Sequence, residues 1–432
     1  MLRLHFLGLL LVQYVMGLRF AMYIDQYHTD DLPGNDRTQG VTHAIMAFAN
    51  SSLFNSDYPA QFQPFESLDK TRKRFGADTK VMIAIGGWGD TSGFSKGAKD
   101  EVSRTRYAMN VAAVLNNLGF DGVDIDWEYP GGNGEDYKRV PNCEKIKEID
   151  SFPLLLQAIR QAIGPHKILS IAVPGKRTDM IAFTKEQGPK LWPFVDMVNV
   201  MSYDLMNRRD KVTNHHTSVM GSLDTIKAYE EVGLDTAKIN LGFAYYAKWV
   251  MTDPSSNCGE HPIGCAVAKL ESPDGTDPGK SGALTFEKSS MGTPPVNLSV
   301  STDGTCGFAK RTRCPPNSCC SQYGNCGTTD DFCQAGCLSD YGECKGISVI
   351  DSWRRASTGG KTDEQAGGQY YWDKEANIFW TWDTPALVER KFNEIVGAEK
   401  LGGVMAWSLG EDSMNWEHLK AMQKGVNAVV CP

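Results

Sequence analysis

Asp124, Asp126 and Glu128 stand at alternate positions in the run Phe120-Asp121-Gly122-Val123-Asp124-Ile125-Asp126-Trp127-Glu128. Successive side chains of a strand point to opposite faces, so these carboxylates share one face while Val123, Ile125 and Trp127 take the other. The apolar set suits a packed layer, which leaves the acidic set facing an interior or a mouth. Asp121 is out of phase and is assigned a structural part. Neighbouring groups on one strand face lie about 5–7 Å apart, and at an effective dielectric of about 20 each pair repels by roughly 2–3 kcal/mol. That equals about two pKa units, so the row is expected to share a proton instead of carrying a full set of charges. A proton held on Glu128 near neutral pH is what a general acid needs. An ion-paired or calcium-binding row would require basic partners or carbonyl-rich loops beside it, and the adjacent sequence supplies neither.

Glycoside cleavage by two carboxylates needs them on opposite sides of the scissile bond. Asp126 and Glu128 approach from one side, so neither is placed to serve as nucleophile for the other. A 2-acetamido group on the substrate has a carbonyl oxygen able to attack its own anomeric carbon. The spacing suggests that route without requiring it.

The elements that would carry this row are short apolar runs at Phe20–Ile24, Thr42–Phe48, Lys80–Ile85, Gly122–Trp127, Ile168–Val173, Met197–Ser202, Ile239–Ala244 and Gly403–Ser408. Most are apolar on both faces, as parallel strands covered on both sides are. Helical periodicity falls between them, most plainly over Arg104–Leu118, Asp150–Ile163 and Ser222–Val232. The pattern predicts an α/β fold, a (β/α)8 TIM barrel, with the acidic row rising to its C-terminal mouth. A doubly wound open sheet is the alternative, but no Gly-rich phosphate turn follows the first strand. About 155 residues, Tyr246 to Lys400, separate the last two strands, too many for a plain loop. An insertion with structure of its own is expected there, with Pro385–Val396 as the helix leading back to the barrel.

The chain of 432 residues is 41% hydrophobic and 22% charged with a formal charge of −8, ordinary for a globular protein and unfavourable for a nucleic-acid partner. Arg3, an apolar run from Leu4 to Val15 and small residues near Gly17 read as an export signal over residues 1–17, too short for a membrane span. No later run is long and apolar enough to cross a bilayer, and the ending Val429-Val430-Cys431-Pro432, without a hydrophobic tail, leads us to expect no lipid anchor. Secretion suits the twelve cysteines, which then point to disulfides. Sequons stand at Asn50 and Asn297, Asn50 being the weaker because it closes a strand.

The acidic run resembles the D-x-x-D-x-D-x-E signature of glycoside hydrolase family 18, chitinases with substrate-assisted, retaining chemistry. The similarity extends to Ala84-Ile85-Gly86-Gly87-Trp88, Met201-Ser202-Tyr203-Asp204 and Gly403-Val404-Met405-Ala406-Trp407-Ser408. It covers the chain outside the cysteine cluster and is strongest to secreted fungal members. The resemblance implies that Glu128 protonates the glycosidic oxygen and Asp126 orients the acetamido group, with Asp124 taking up the proton or hydrogen bond of Asp126. It implies that Tyr203 binds the acetamido oxygen, that Asp204 contacts the same sugar or tunes Tyr203, and that Trp407 stacks beneath it. Gly86, Gly87, Trp88, Met201 and Tyr246 would line the substrate site. Tyr246-Ala247-Lys248 departs from the family's usual Tyr-Gly-Arg. No metal or other cofactor is implied, and the expected partners are chitin and chitooligosaccharides, bound by a monomer.

Eight cysteines crowd between Cys306 and Cys344. A segment of this size cannot build a core and must be stapled; paired C-x-x-C knuckles for zinc are absent. The run Cys319-Cys320-Ser321-Gln322-Tyr323-Gly324 is similar to the hevein-like, type 1 chitin-binding domain, here spanning 304–346 and splitting the barrel into 18–303 and 347–432. That resemblance implies the pairs Cys306–Cys320, Cys314–Cys326, Cys319–Cys333 and Cys337–Cys344, with Ser321, Tyr323, Asn325 and Phe332 at the sugar-binding positions. Asn325 stands where that family has an aromatic ring and Phe332 where it has a hydroxyl-bearing one, so weakened binding is expected. Cys258 and Cys265 are close enough for a loop bridge, and Cys143 with Cys431 is left by elimination. Trp88, Trp249, Tyr371 and Trp382 are each open to a role as sugar platform or as packing residue, and His215-His216 is placed on a loop rim in preference to a metal site. A barrel turned lectin, sequestering chitin fragments, is the rival class, and a transglycosylase a further one with the same residues.

Overall fold

The computed structural model describes residues 17–430 except 292, 335 and 347. The expected export signal, apart from its last residue, and Cys431 lie outside the described residues.

Eight parallel strands close a barrel: β1 (Arg19–Asp25), β2 (His43–Ala49), β3 (Lys80–Gly86), β4 (Gly122–Asp126), β5 (Ile168–Pro174), β6 (Met197–Met201), β7 (Ile239–Ala244) and β8 (Gly403–Trp407). Closure is made by β1 against β8, with Arg19 beside Gly403 and Met22 beside Ala406. Each strand is buried on both faces because helices cover the outside and inward side chains fill the middle. The outer layer is aliphatic and aromatic, with Val123, Ile125 and Trp127 of the acidic run packed into it. The inner layer includes Ala21, Tyr23, Met82, Ala84, Met197 and Met405.

The helices lie where the periodicity placed them, with different starts. Helix α1 (Glu101–Leu118) begins at an Asp100 cap that accepts the Ser103 N–H, and ends at Gly119 in the left-handed region, φ 82°. Helix α2 (Asn142–Ile163) begins at Asn142 instead of Asp150. Its first turns are charged and carry no apolar period; tertiary contacts hold them instead. Lys145 pairs with Asp136 at 2.5 Å, and Glu148 accepts from the Gly131 N–H at 3.0 Å and the Ser95 hydroxyl at 2.6 Å.

The insertion is a five-stranded antiparallel sheet in the order Lys361–Asp363, Gly368–Asp373, Ile378–Trp382, Tyr246–Met251, Ser281–Thr285. A helix over Val349–Gly359 packs on it, and Trp249, Phe286, Trp353, Trp380 and Trp382 form its core. Trp249 and Trp382 are therefore packing residues of a second core, the packing alternative to a sugar platform, although Trp249 also borders the cleft at the barrel mouth. Trp382 packs against Trp353 and Trp249 against Trp380, both from other elements of the insertion. Between the last sheet strand in space and that helix lies the cysteine segment. Its disulfides are Cys306–Cys320, Cys314–Cys326, Cys319–Cys333 and Cys337–Cys344, and Cys258–Cys265 closes a separate loop. Cys143 is exposed and free among the described residues.

Candidate active site

The strand alternation delivers what the spacing requires. Asp124 and Asp126 are buried inside the barrel, and Glu128 stands just past the end of β4 in a cleft of about 820 Å³ at the mouth. Asp121, out of phase, accepts from Arg72 and from the Val81 N–H, both at 2.8 Å, which ties β4 to β3 below the site.

Asp124 is held by three donors: the Tyr23 hydroxyl at 2.7 Å, the Ser170 hydroxyl at 2.5 Å and the Asn199 amide at 3.0 Å. Burial raises its carboxyl above the ordinary range, and these bonds limit the rise. Asp126 has no such support. One of its oxygens is buried without a hydrogen-bond partner among the described residues. Burial, then the charges of Glu128 and Asp124, push it well above the carboxylate range. Glu128 is pushed up to about 7 by burial, with Asp204 and Asp179 adding to the rise and a bond to Tyr129 opposing it. The shared-proton expectation thus has a different main cause. Desolvation outweighs mutual repulsion, because the walls of the site exclude water from every member of the row.

Gly86 and Gly87 close the turn above β3. A Cβ on Gly86, at φ +108°, would lie 2.2 Å from the Asp126 carbonyl oxygen, and one on Gly87 would lie 2.7 Å from the Phe48 ring. Only glycine lets β3 come this close to β4, and the Gly87 N–H donates to the Asp126 carbonyl at 2.9 Å. Trp88 follows, 52% exposed on the cleft rim.

From β6 and the loop beyond it come Met201, Tyr203 and Asp204, all lining the cleft. The Tyr203 hydroxyl has its proton held on by burial and by Asp126 and Glu128 nearby. Asp204 receives the Tyr246 hydroxyl at 2.8 Å and the Lys248 ammonium at 2.9 Å. Withdrawal from water pushes its carboxyl up, but Lys248 and His216 outweigh that and hold it well below its ordinary range. Trp407, at the end of β8, stacks on Phe48 with ring centres 5.3 Å apart and leans on Tyr23 at 5.6 Å. Ser408 then donates to Asp25 at 2.5 Å, fixing the end of β8 to the end of β1.

His215 and His216 are both buried, which corrects their assignment to a loop rim. His215 lies against Asp363 and Tyr370 of the insertion sheet, and His216 packs on Tyr246 beside Asp204. The sheet folds down over their loop, and sequence distance hides that cover. Spacing in the acidic run does not reveal Tyr23, Ser170 and Asn199 as its partners. Polar residues at inward positions of otherwise apolar strands were the available signal for Ser170 and Asn199.

In the cysteine segment Ser321, Tyr323 and Asn325 come together on the turn between Cys319–Cys320 and Cys326–Gly327. Tyr323 is 73% exposed, whereas Ser321 is buried with its hydroxyl accepting from the Asn325 N–H at 3.3 Å. Phe332 is only partly buried, and its ring lies against Gly327, where a Cβ would come within 2.4 Å.

Comparison with known proteins decides the family. The model of the family described as glycosyl hydrolases family 18 matches residues 19–412. The chain belongs to that family.

Among its family 18 relatives, Chitinase 1 of Aphanocladium album is 25% identical over 261 residues, 53% of this chain and 59% of that one. Chitinase B of Serratia marcescens is 23% identical over 433 residues, covering 91% of this chain and 77% of its own. A solved chitinase from Rhizomucor miehei shares the fold with a TM-score of 0.65 at 18% identity, over 94% of this chain and 99% of that one. The chain thus spans less than two thirds of the Aphanocladium relative, and its family 18 fold is common to proteins of low identity.

Proposed function

We propose that this family 18 protein is a secreted chitinase of fungal type that hydrolyses β-1,4-linked N-acetylglucosamine polymers with retention of configuration. The observation that carries the reading is the pairing of Glu128, protonated near neutral pH, with Asp126, whose buried oxygen has no partner among the described residues. Glu128 gives its proton to the glycosidic oxygen. Asp126 takes the acetamido N–H of the sugar on the other side of the bond, aligning the carbonyl oxygen for attack on C1. Asp124 accepts hydrogen bonding from Asp126 when that group turns inward. Tyr203 donates to the acetamido oxygen, Asp204 fixes the same sugar through Tyr246, and Trp407 lies beneath its ring. Gly86, Gly87, Trp88 and Met201 bound the site. Asp204 is engaged by Tyr246 and Lys248, which supports a nucleophile drawn from the substrate instead of a second free carboxylate.

The segment 304–346 is read as a hevein-like chitin-binding domain set into the barrel unit of 18–303 and 347–432. Tyr323 and Ser321 offer its sugar contacts, and the pairing of its cysteines agrees with that reading. The test is product analysis on defined oligomers. The N-acetylglucosamine hexamer is expected to be cleaved and the β-1,4-glucose hexamer left intact; cleavage of both at similar rates would reject the acetamido-assisted reading.

A further inference from the structure

Glu271, in the insertion, gathers partners from two barrel loops. The Tyr137 hydroxyl donates to it, the Lys138 ammonium lies 3.7 Å away, and the Arg208 guanidinium lies 3.2 Å away. Arg208 also reaches Asp277 of the insertion at 4.0 Å. Backbone contact reinforces the junction, since a Cβ on Gly275 would sit 3.1 Å from the Lys138 side chain. The Glu271 side chain is only 7% exposed, so its ion pairs with Lys138 and Arg208 are screened by salt less than surface pairs are, and Tyr137 supplies its hydrogen bond.

Tyr137 and Lys138 follow β4, Arg208 follows β6, and Glu271 and Asp277 follow β7. In the barrel order β4 stands three strands from β7, beyond β6 and β5, so the clasp joins opposite walls of the cleft over the β5–β6 side. Tyr137, Arg208, Arg209 and Asp277 line the cleft there. The other side, after β1 and β3, carries the open aromatic faces of Tyr27, 77% exposed, and Trp88.

We infer that Glu271 determines where a polymer is cut: its clasp closes one side of the cleft, so the enzyme takes chains by their ends. The inference rests on the chitin-hydrolysing reading above. Cutting in mid-chain requires both arms of the polymer to leave the cleft, and a clasp across the β5–β6 side stands in the way of one of them. Substrate then enters end-first and is shortened stepwise.

The experiment follows viscosity and new reducing ends together on soluble glycol chitin, using the full chain. The parent should lose viscosity slowly for each bond cut. Glu271→Ala should lose it about three-fold or more faster per bond, with turnover of the N-acetylglucosamine tetramer within about two-fold of the parent. Lys138→Met, which removes one arm of the clasp, should move in the same direction by less, and it keeps the test open if Glu271→Ala does not fold. A parent that loses viscosity as steeply per bond as the variants overturns the clasp. Absence of any new reducing ends from the parent would instead remove the hydrolytic reading, and the inference with it.

Discussion

The Lys248 ammonium lies 2.9 Å from Asp204 in the cleft that also holds Glu128. It keeps a negative charge in place that raises the Glu128 carboxyl. This pair therefore acts on the proton of the acid without touching it.

Glu128 works protonated, so the rate should fall as pH rises through its value of about 7. Asp204→Asn removes a neighbouring negative charge, which lowers that value. The alkaline limb of the kcat/KM profile should move down by about half to one pH unit. A limb that stays in place or moves up would contradict the electrostatic link.

Glu128→Gln fills the same space but has no proton to give. Turnover should fall by about a thousand-fold or more while oligomer binding, measured by calorimetry, changes little. Activity within about tenfold of the parent would remove Glu128 from the role of acid.

Lys391 and Asp383 form a fully buried pair at 2.6 Å, with Thr217 as the other partner of the ammonium. Breaking such a pair strands the remaining charge, at a cost of about 3–5 kcal/mol. Lys391→Met should lower stability by that order in urea titration, and Lys391→Met with Asp383→Leu should recover most of it. Equal loss in the single and double variants would show that packing, not the charge, dominates.

Much of the barrel and its acidic row is legible in the sequence. The barrel strands show as short runs apolar on both faces, and the acidic ladder shows as a period of two. Those signals are local, which is why spacing alone places β4 with Asp124 and Asp126, and Glu128 just beyond it. The insertion sheet was not legible, because Trp380 meets Trp249 across more than a hundred residues of chain. A similar distance hides the burial of His215 beneath Tyr370, and the separation of 44 residues between Asp204 and Lys248 hides that pairing. Periodicity also misplaced the start of α2, whose first turns depend on Asp136 and Gly131 instead of an apolar stripe.

The cysteine module should govern adhesion to solid chitin more than turnover. Removing 304–346 should leave soluble-oligomer turnover within about three-fold and lower activity on crystalline chitin more strongly, since a tethered module raises the local concentration of chain. Asn325 is exposed beside Tyr323, so Asn325→Trp should add a stacking face worth about 1 kcal/mol and tighten retention on chitin beads. Equal losses on soluble and solid substrate, with no gain from Asn325→Trp, would identify the module as a brace for the insertion.

The central claim is that the acetamido group of the substrate, guided by Asp126, takes the place of a protein nucleophile. Proton NMR of the first products from the N-acetylglucosamine hexamer tests it most directly. Two successive displacements at C1 keep the configuration, so the β-anomer should appear first and the α-anomer only as mutarotation proceeds. An initial α-anomer would mean direct attack by water and would contradict the account.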